Sequence, residues 1–527
     1  MALKNEVKII LQKIIIVSLI LVFNTILIYS KDYPNKLIVN VDIEKGKISR
    51  YIYGHFAEHL GRCIYDGLWV GESSNVPNIG GVRKDIIEAL KKIKAPVIRW
   101  PGGCFADTYH WMDGIGPREL RPPMINIFWG EVIEDNHFGT HEFLNFCEEV
   151  GCDAYISGNV GSGTVKELAD WVEYVNFDGN SPMANLRRKN GREKPWNVKF
   201  WGIGNENWGC GGNMTAEYYV DLLKRFATYV RDYGVGITRI ACGPNSSNYH
   251  WMETIMRDGR ARKSIQAVSL HYYTVFESWS NKGSATDFTE YHWFGILERT
   301  LRMDDIIKRH SAIMDRYDPD RRIGLMVDEW GTWYNVEPGT NPSFLYQQNT
   351  IRDAIVAGIN LDIFNNHCER VKMANIAQLV NVLQALFLTK GDKMILTPTY
   401  HVFDMYKVHQ DATLLLNELS CEEYTYDGKS IPSLNSSASK DDNGLIHITL
   451  CNLDPKNKKE LLIELRGVKS VKEVSGKVLT AKEMNSHNTF DNPDNVKPTV
   501  FRDFKVKNNT VVVDVPSKSV IVLEIKR

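Results

Sequence analysis

What this 527-residue chain lacks narrows it first. Sixty-three Lys and Arg against sixty-four Asp and Glu leave a net charge of -1, so the footprint of a nucleic-acid-binding protein is missing. Its nine cysteines, Cys63, Cys104, Cys147, Cys152, Cys210, Cys242, Cys368, Cys421 and Cys451, have none of the paired short spacings of a zinc ribbon or a small disulfide scaffold. Their odd number leaves at least one free thiol, and several sit in apolar runs where Cys is a small buried hydrophobe. Internal repeats and long low-complexity tracts are missing too. No apolar run reaches the roughly 20 residues of a membrane-spanning helix. The longest, Ile14 to Ile28, follows Lys4, Lys8 and Lys13 and precedes the small Ser30. That layout predicts a secretory signal peptide over residues 1–30 and export to the periplasm or the exterior, with an uncleaved anchor as the competing reading. No other membrane contact is expected.

What is present is ordinary in bulk and specific in pattern. The length exceeds what one hydrophobic core usually supports, so at least two domains are expected. Leu37 to Ile43 alternates like a half-buried strand. From residue 50 to 395 apolar strand candidates recur at 51–54, 96–100, 152–157, 198–204, 238–242, 266–271, 323–328 and 359–364. Helical stretches separate them. Eight strands alternating with helices predict a (β/α)8 barrel, a doubly wound open sheet being the alternative. Over residues 396–527 the period becomes two, as in Leu445 to Leu450 and Val511 to Val515, which predicts a jelly-roll-like β-sandwich. The isolated strand within 31–49 needs a sheet, and the C-terminal sandwich is the nearest.

Barrel enzymes carry their chemistry where strands end. Polar clusters follow six of the apolar runs: Gly54 to His59, Arg99 to Cys104, Asn205-Glu206, His271 to Tyr273, Asp328 to Trp330, and Asn365 to His367. Glu206 and Glu329, at the fourth and seventh ends, are placed to face one another. Glycoside hydrolysis needs such a pair, one carboxyl to protonate the leaving oxygen and one carboxylate to attack the anomeric carbon or activate water. Between Asn205 and Trp208, Glu206 sits in a partly apolar niche that favours its acid form. Glu329 must stay ionised, and Arg99 is the residue expected to hold it so.

Other patterns read more plainly. His55-Phe-Ala-Glu58-His59 matches an inverted zinc-peptidase motif, yet Gly54 and Gly61 flank it one residue after a strand, a poor setting for the helix that zinc needs. Glu58 is then an acceptor for hydroxyls. Gly158 to Gly163 lacks a full dinucleotide fingerprint, and Thr164 with Glu167 forms a capping box that makes it a turn into a helix. Trp111, Trp129, Trp208, Trp333 and Tyr334 lie among loop residues, where stacking on sugar rings competes with core packing.

Tyr53-Gly-His-Phe-Ala-Glu-His-Leu-Gly-Arg-Cys-Ile-Tyr65, Arg99-Trp-Pro-Gly-Gly-Cys104, Gly202-Ile-Gly-Asn-Glu-Asn-Trp-Gly209, Val327-Asp-Glu-Trp-Gly331 and Asn375-Ile-Ala-Gln-Leu-Val-Asn-Val382 together resemble the α-L-arabinofuranosidases of glycoside hydrolase family 51. The resemblance runs from about residue 37 to the C-terminus and is densest in the barrel. It implies a retaining, exo-acting enzyme on arabinose-containing oligo- or polysaccharides, with Glu206 as acid/base and Glu329 as nucleophile. Glu58, Cys104, Asn205, Tyr273 and Gln378 match positions that bind the furanose, Trp129 matches the aromatic beside the leaving group, and His271 joins them more loosely. No metal or organic cofactor is implied, and members are commonly hexamers. Longer loops at Trp208 to Asn213 and Ser278 to Tyr291 depart from the pattern on the leaving-group side. The same fold and carboxylate pair also serve endo-glucanases and β-xylosidases, which stay as the alternative. A non-catalytic carbohydrate-binding protein would lack one of the two carboxylates.

Overall fold

The computed structural model describes residues 33–527, so the signal-peptide expectation lies outside the described residues. Eight strands, β1 (Gly54–Phe56), β2 (Val97–Trp100), β3 (Asp153–Gly158), β4 (Phe200–Ile203), β5 (Thr238–Ala241), β6 (Ala267–Thr274), β7 (Gly324–Thr332) and β8 (Val371–Ala377), form a closed parallel barrel in chain order, with β8 pairing back to β1. Helices cover the barrel outside and side chains fill it inside, which is why β2 and β7 are buried along their whole length without alternation. Val97, Tyr155, Phe200, Ile240, Ala267, Met326 and Met373, one from each strand after the first, meet in a single cluster that plugs the barrel beneath its C-terminal mouth.

Two strand assignments move. Residues 51–53 form a single 3-10 turn, and β1 begins only at Gly54. More seriously, the apolar run 359–364 belongs to the helix Ile351–Asn366, and the eighth strand is Val371–Ala377. Short apolar runs do not distinguish a buried strand from a buried helix. This helix opens with the Thr350–Asp353 capping box and is buried on every side, so it lacks the polar stripe that gives helices away. Asn365, Asn366 and His367 therefore end a helix and are not at a strand end.

The helix is wedged between barrel and C-terminal sheet. The sheet has ten strands, and Asn35–Lys47 is one of them, antiparallel to Thr413–Ser420 and parallel to Lys459–Arg466. Burial alternates over residues 35–41 and along Lys459–Arg466 and Thr510–Val515, and their inward residues join one apolar core around Leu37, Val39, Ile448, Leu461, Val513 and Leu523. Between the two bodies Thr449 donates to Asp362 at 2.6 Å and Trp293 Nε1 to the Leu453 carbonyl at 2.9 Å. A further helix, Pro398–Tyr406, precedes the sheet strands and packs on Ile351–Asn366.

Candidate active site

Five of the six polar clusters converge at the barrel mouth. Glu329, on the extended end of β7, accepts from Arg99 Nη1 at 2.9 Å and from the Tyr273 hydroxyl at 2.7 Å. Glu206, just past β4, bonds His271 Nδ1 through Oε1 at 2.8 Å. The same Nδ1 lies 3.4 Å from Glu329, and Nε2 lies 3.2 Å from Asp328. One carboxylate oxygen of Glu206, one of Glu329 and a His271 ring nitrogen all fall within 4.8 Å of one another. Two acids from strands β4 and β7 thus share one imidazole.

The surrounding charge sets their protonation. Burial and the neighbouring Glu329 push Glu206 above the ordinary range, against the pull of His271 and Arg99. Burial alone would lower His271, but Glu329, Asp328 and Glu206 raise it to about 10, so it is an imidazolium at neutral pH. Asp328 is buried, which opposes its charge, yet Arg99 and His271 hold it below the usual carboxylate range. Arg99, itself 1% exposed, bonds Ser157, Asn205, the Asp328 carbonyl and Glu329. Its planar fork suits several acceptors at once. Arg99→Met is expected to cost about 3–5 kcal/mol of unfolding free energy in urea titrations, because it strands two buried carboxylates.

Glu58 forms the opposite wall. It accepts from Phe105 N at 3.1 Å, Trp129 Nε1 at 2.9 Å and Gln378 Nε2 at 2.9 Å. Burial and Glu329 nonetheless raise it to about 7. Glycine at 103 is required here, since a Cβ would lie 2.6 Å from both Glu58 oxygens. Asn205 Nδ2 and Gln378 Oε1 are buried with no protein partner, so a donor and an acceptor are left over.

These groups enclose a cavity of about 240 Å³, lined by Glu58, Cys104, Glu206, Tyr273, Glu329 and Gln378, with Trp129, Trp208, Trp279 and Trp333 among its other walls. It falls below the roughly 300–1,000 Å³ usual for drug-sized ligands and fits one small ring. A larger cleft of about 550 Å³ lies by Arg50, Pro96, Asp153 and Gln410, ahead of the strands at the other end of the barrel and away from the paired acids.

Several expectations change on contact with this geometry. Trp111 is buried and stacks on Trp171 at 5.8 Å, and Tyr334 is buried under Arg352, so both are core residues. Trp279, unremarked in the sequence because Glu277, Ser278, Ser280 and Asn281 surround it, stands 53% exposed and 5.2 Å from the Trp333 ring. His55 turns outward against Phe403 at 5.0 Å, His59 stacks on Phe105, and Glu58 faces the cavity; the three side chains of the zinc-like motif diverge. Cys104 lines the cavity, but its sulfur is bonded to Cys210. The odd cysteine count gave no hint of that pairing. Asp107 also went unnoticed, a lone acid in a buried turn.

Known families cover both parts of the chain. Residues 89–291 match the α-L-arabinofuranosidase 1 domain and residues 328–519 the α-L-arabinofuranosidase C-terminal domain. The chain is 53% identical over 493 residues, 93% of its length and 95% of the relative's, to the intracellular exo-α-L-arabinofuranosidase of Bacteroides ovatus. The crystal structure of the GH51 arabinofuranosidase of Xanthomonas axonopodis pv. citri superposes with a TM-score of 0.92 at 48% identity, covering 94% of this chain and all of that one. The Thermotoga maritima α-L-arabinofuranosidase in complex with arabinose gives 0.80 at 32% identity, covering 93% and 99%. One expectation is overturned: export does not fit a relative this similar that is named intracellular. The apolar N-terminal run resembles a signal by composition alone, and composition does not settle an address. Among the described residues no helix is long and apolar enough to cross a membrane. The chain belongs to the α-L-arabinofuranosidases of glycoside hydrolase family 51.

Proposed function

We propose that this arabinofuranosidase releases single terminal arabinofuranosyl units from arabinan- or arabinoxylan-type chains by double displacement, with retention at the anomeric carbon. The observation that carries the proposal is the close approach of Glu206 and Glu329, whose nearest oxygens lie within 4.8 Å. A gap that narrow favours the retaining arrangement, with carboxyl groups roughly 5–5.5 Å apart, over the inverting one, whose groups stand roughly 6.5–9.5 Å apart to hold a water between them.

In the first step a Glu329 oxygen attacks the anomeric carbon as its bond to the leaving oxygen breaks, and Glu206 gives that oxygen a proton. In the second, Glu206 takes a proton from water, the water oxygen attacks the same carbon, and the ester to Glu329 breaks. Arg99 and Tyr273 aim the Glu329 oxygens by donating to them, while burial and the neighbouring Glu329 raise Glu206 and so favour its proton-carrying form. Glu58, Gln378 and the spare Asn205 Nδ2 meet the sugar hydroxyls. A cavity sized for one ring favours chain ends over internal linkages. The first test is turnover of 4-nitrophenyl α-L-arabinofuranoside against the β-D-xyloside and β-D-glucoside, with the product anomer followed by NMR. Preference for the xyloside or an inverted product would sink the reading.

Trp279 and Trp333 rim the mouth, and the loop that carries Trp279 is the one expected to shape the leaving-group side. Trp279→Ala is expected to lower kcat/KM on arabino-oligosaccharides roughly three- to tenfold, as a stacking contact worth about 0.5–1.5 kcal/mol implies, and to leave the aryl arabinofuranoside nearly unaffected.

A further inference from the structure

Glu206 sits in a backbone conformation that a non-glycine residue does not keep unaided. Its φ is 42°, in the left-handed region. Such positions persist where neighbours over-determine them. Its own turn supplies part of the support, since Gly209 N and Gly211 N donate to the Glu206 carbonyl at 2.7 and 3.1 Å.

Arg99, Cys242 and Gly243 also bond the segment, and two further contacts come from one short piece of chain, the 3-10 turn Cys104–Thr108 that follows β2. Asp107 is 3% exposed and does not line the cavity. One of its oxygens accepts from Val160 N at 2.8 Å and Gly161 N at 2.7 Å, fixing it to the loop after β3. The other accepts from Asn205 N at 3.1 Å, the amide directly ahead of Glu206. Three residues earlier on the same turn, Cys104 is joined by a disulfide to Cys210, four residues beyond Glu206, and Cys210 Sγ lies 3.5 Å from Glu206 Oε2. The segment 205–210 is therefore held at both ends, by a carboxylate before Glu206 and a covalent bond after it.

We propose that Asp107 and the Cys104–Cys210 disulfide are a two-point clamp that positions Glu206 for proton transfer. Asp107 acts through the backbone of the acid's loop, and the disulfide acts through that backbone and through the Cys210 sulfur beside Glu206 Oε2; neither moves the proton. The inference rests on Glu206 being the acid/base. Because one point is an S–S bond and the other a carboxylate, the clamp has two points when oxidised and one when reduced. Reduction by a dithiol takes two electrons and two protons, breaks the S–S bond, leaves two thiols and closes the dithiol into its cyclic disulfide.

A positioning role predicts a selective loss, which general destabilisation does not. A proton delivered from the wrong place costs most when the leaving group needs it. In Asp107→Asn the side chain keeps its shape and one acceptor but turns an NH2 towards Asn205 N–H or towards the β3 loop. The ratio of kcat/KM on an arabino-oligosaccharide to kcat/KM on 4-nitrophenyl arabinofuranoside is expected to fall roughly tenfold or more in Asp107→Asn. Full-length wild-type protein reduced with dithiothreitol and Cys210→Ser are each expected to show a smaller fall in the same direction, and reduction of Asp107→Asn more than the two falls multiplied. If Asp107→Asn does not fold, the wild-type oxidised and reduced pair and Cys210→Ser carry the test. An unchanged ratio, whatever happens to the melting temperature, overturns the clamp. Failure of the underlying reading is separable: then Glu206→Ala itself leaves the ratio unchanged.

Discussion

Glu329→Ala is expected to lower kcat/KM at least roughly 10⁴-fold on aryl and natural arabinofuranosides alike, because it removes the atom that forms the bond, which no leaving group compensates. The equal loss is the informative part. A nucleophile is needed however easily the aglycone departs, whereas an acid is not. The variant also leaves a small polar hole beside the Arg99 and Tyr273 donors that bonded the carboxylate. Azide fits such a hole and carries the charge those donors were arranged for, so added azide is expected to restore turnover of the aryl substrate and give an arabinosyl azide inverted at the anomeric carbon. In the unaltered enzyme, a slowly hydrolysed fluorinated arabinofuranoside should leave its sugar on the peptide containing Glu329, detectable by mass spectrometry. Near-normal turnover of Glu329→Ala, or label on any other residue, rules out the assignment.

How much of this site a reader of the sequence meets depends on what each residue bonds to. Glu206 and Glu329 are legible because barrel strands end in register and their apolar runs announce where; the chemistry sits one or two residues past each run. Arg99 is legible for the same reason, and the structure places it on Glu329. The eighth strand is not, because the helix Ile351–Asn366 is buried all round and copies the apolar signature of a central strand, while Val371–Ala377 carries Lys372 and Asn375. Asp107 and Cys210 fail for a different reason. Their partners, Asn205 N and Cys104, lie 98 and 106 residues away, and nothing in local periodicity encodes a contact at that range. Trp279 belongs to a loop whose path is set by tertiary contacts, so no local pattern aims it at Trp333. In the C-terminal sheet the alternation of Lys459–Arg466 and Thr510–Val515 is plain, because each strand has one face on a core and one in water.

The second large effect separates acid from nucleophile. Glu206→Ala is expected to lose roughly 10² to 10⁴-fold in kcat/KM on arabino-oligosaccharides, whose sugar leaving groups need a proton, and much less, within about tenfold, on an activated aryl arabinofuranoside that leaves as a stable anion. The pH profile carries the sign. Burial and the Glu329 charge raise Glu206, so its reactive, protonated form survives above the ordinary carboxylate range and is lost as pH climbs through that raised value. Wild-type kcat/KM on oligosaccharides should therefore fall on the alkaline side, and Glu206→Ala should show no such limb. Other groups compete for the assignment. His271 holds its proton to about 10, too high for a limb near neutrality. Glu58, raised to about 7 by burial and Glu329, titrates where a limb is expected and also touches the cavity. The variant decides: an alkaline limb that persists unchanged in Glu206→Ala belongs to Glu58 or to Asp107, which burial also raises to about 7, and removes Glu206 from the acid's role, while a limb that vanishes together with the leaving-group-dependent loss leaves one carboxyl answering for both.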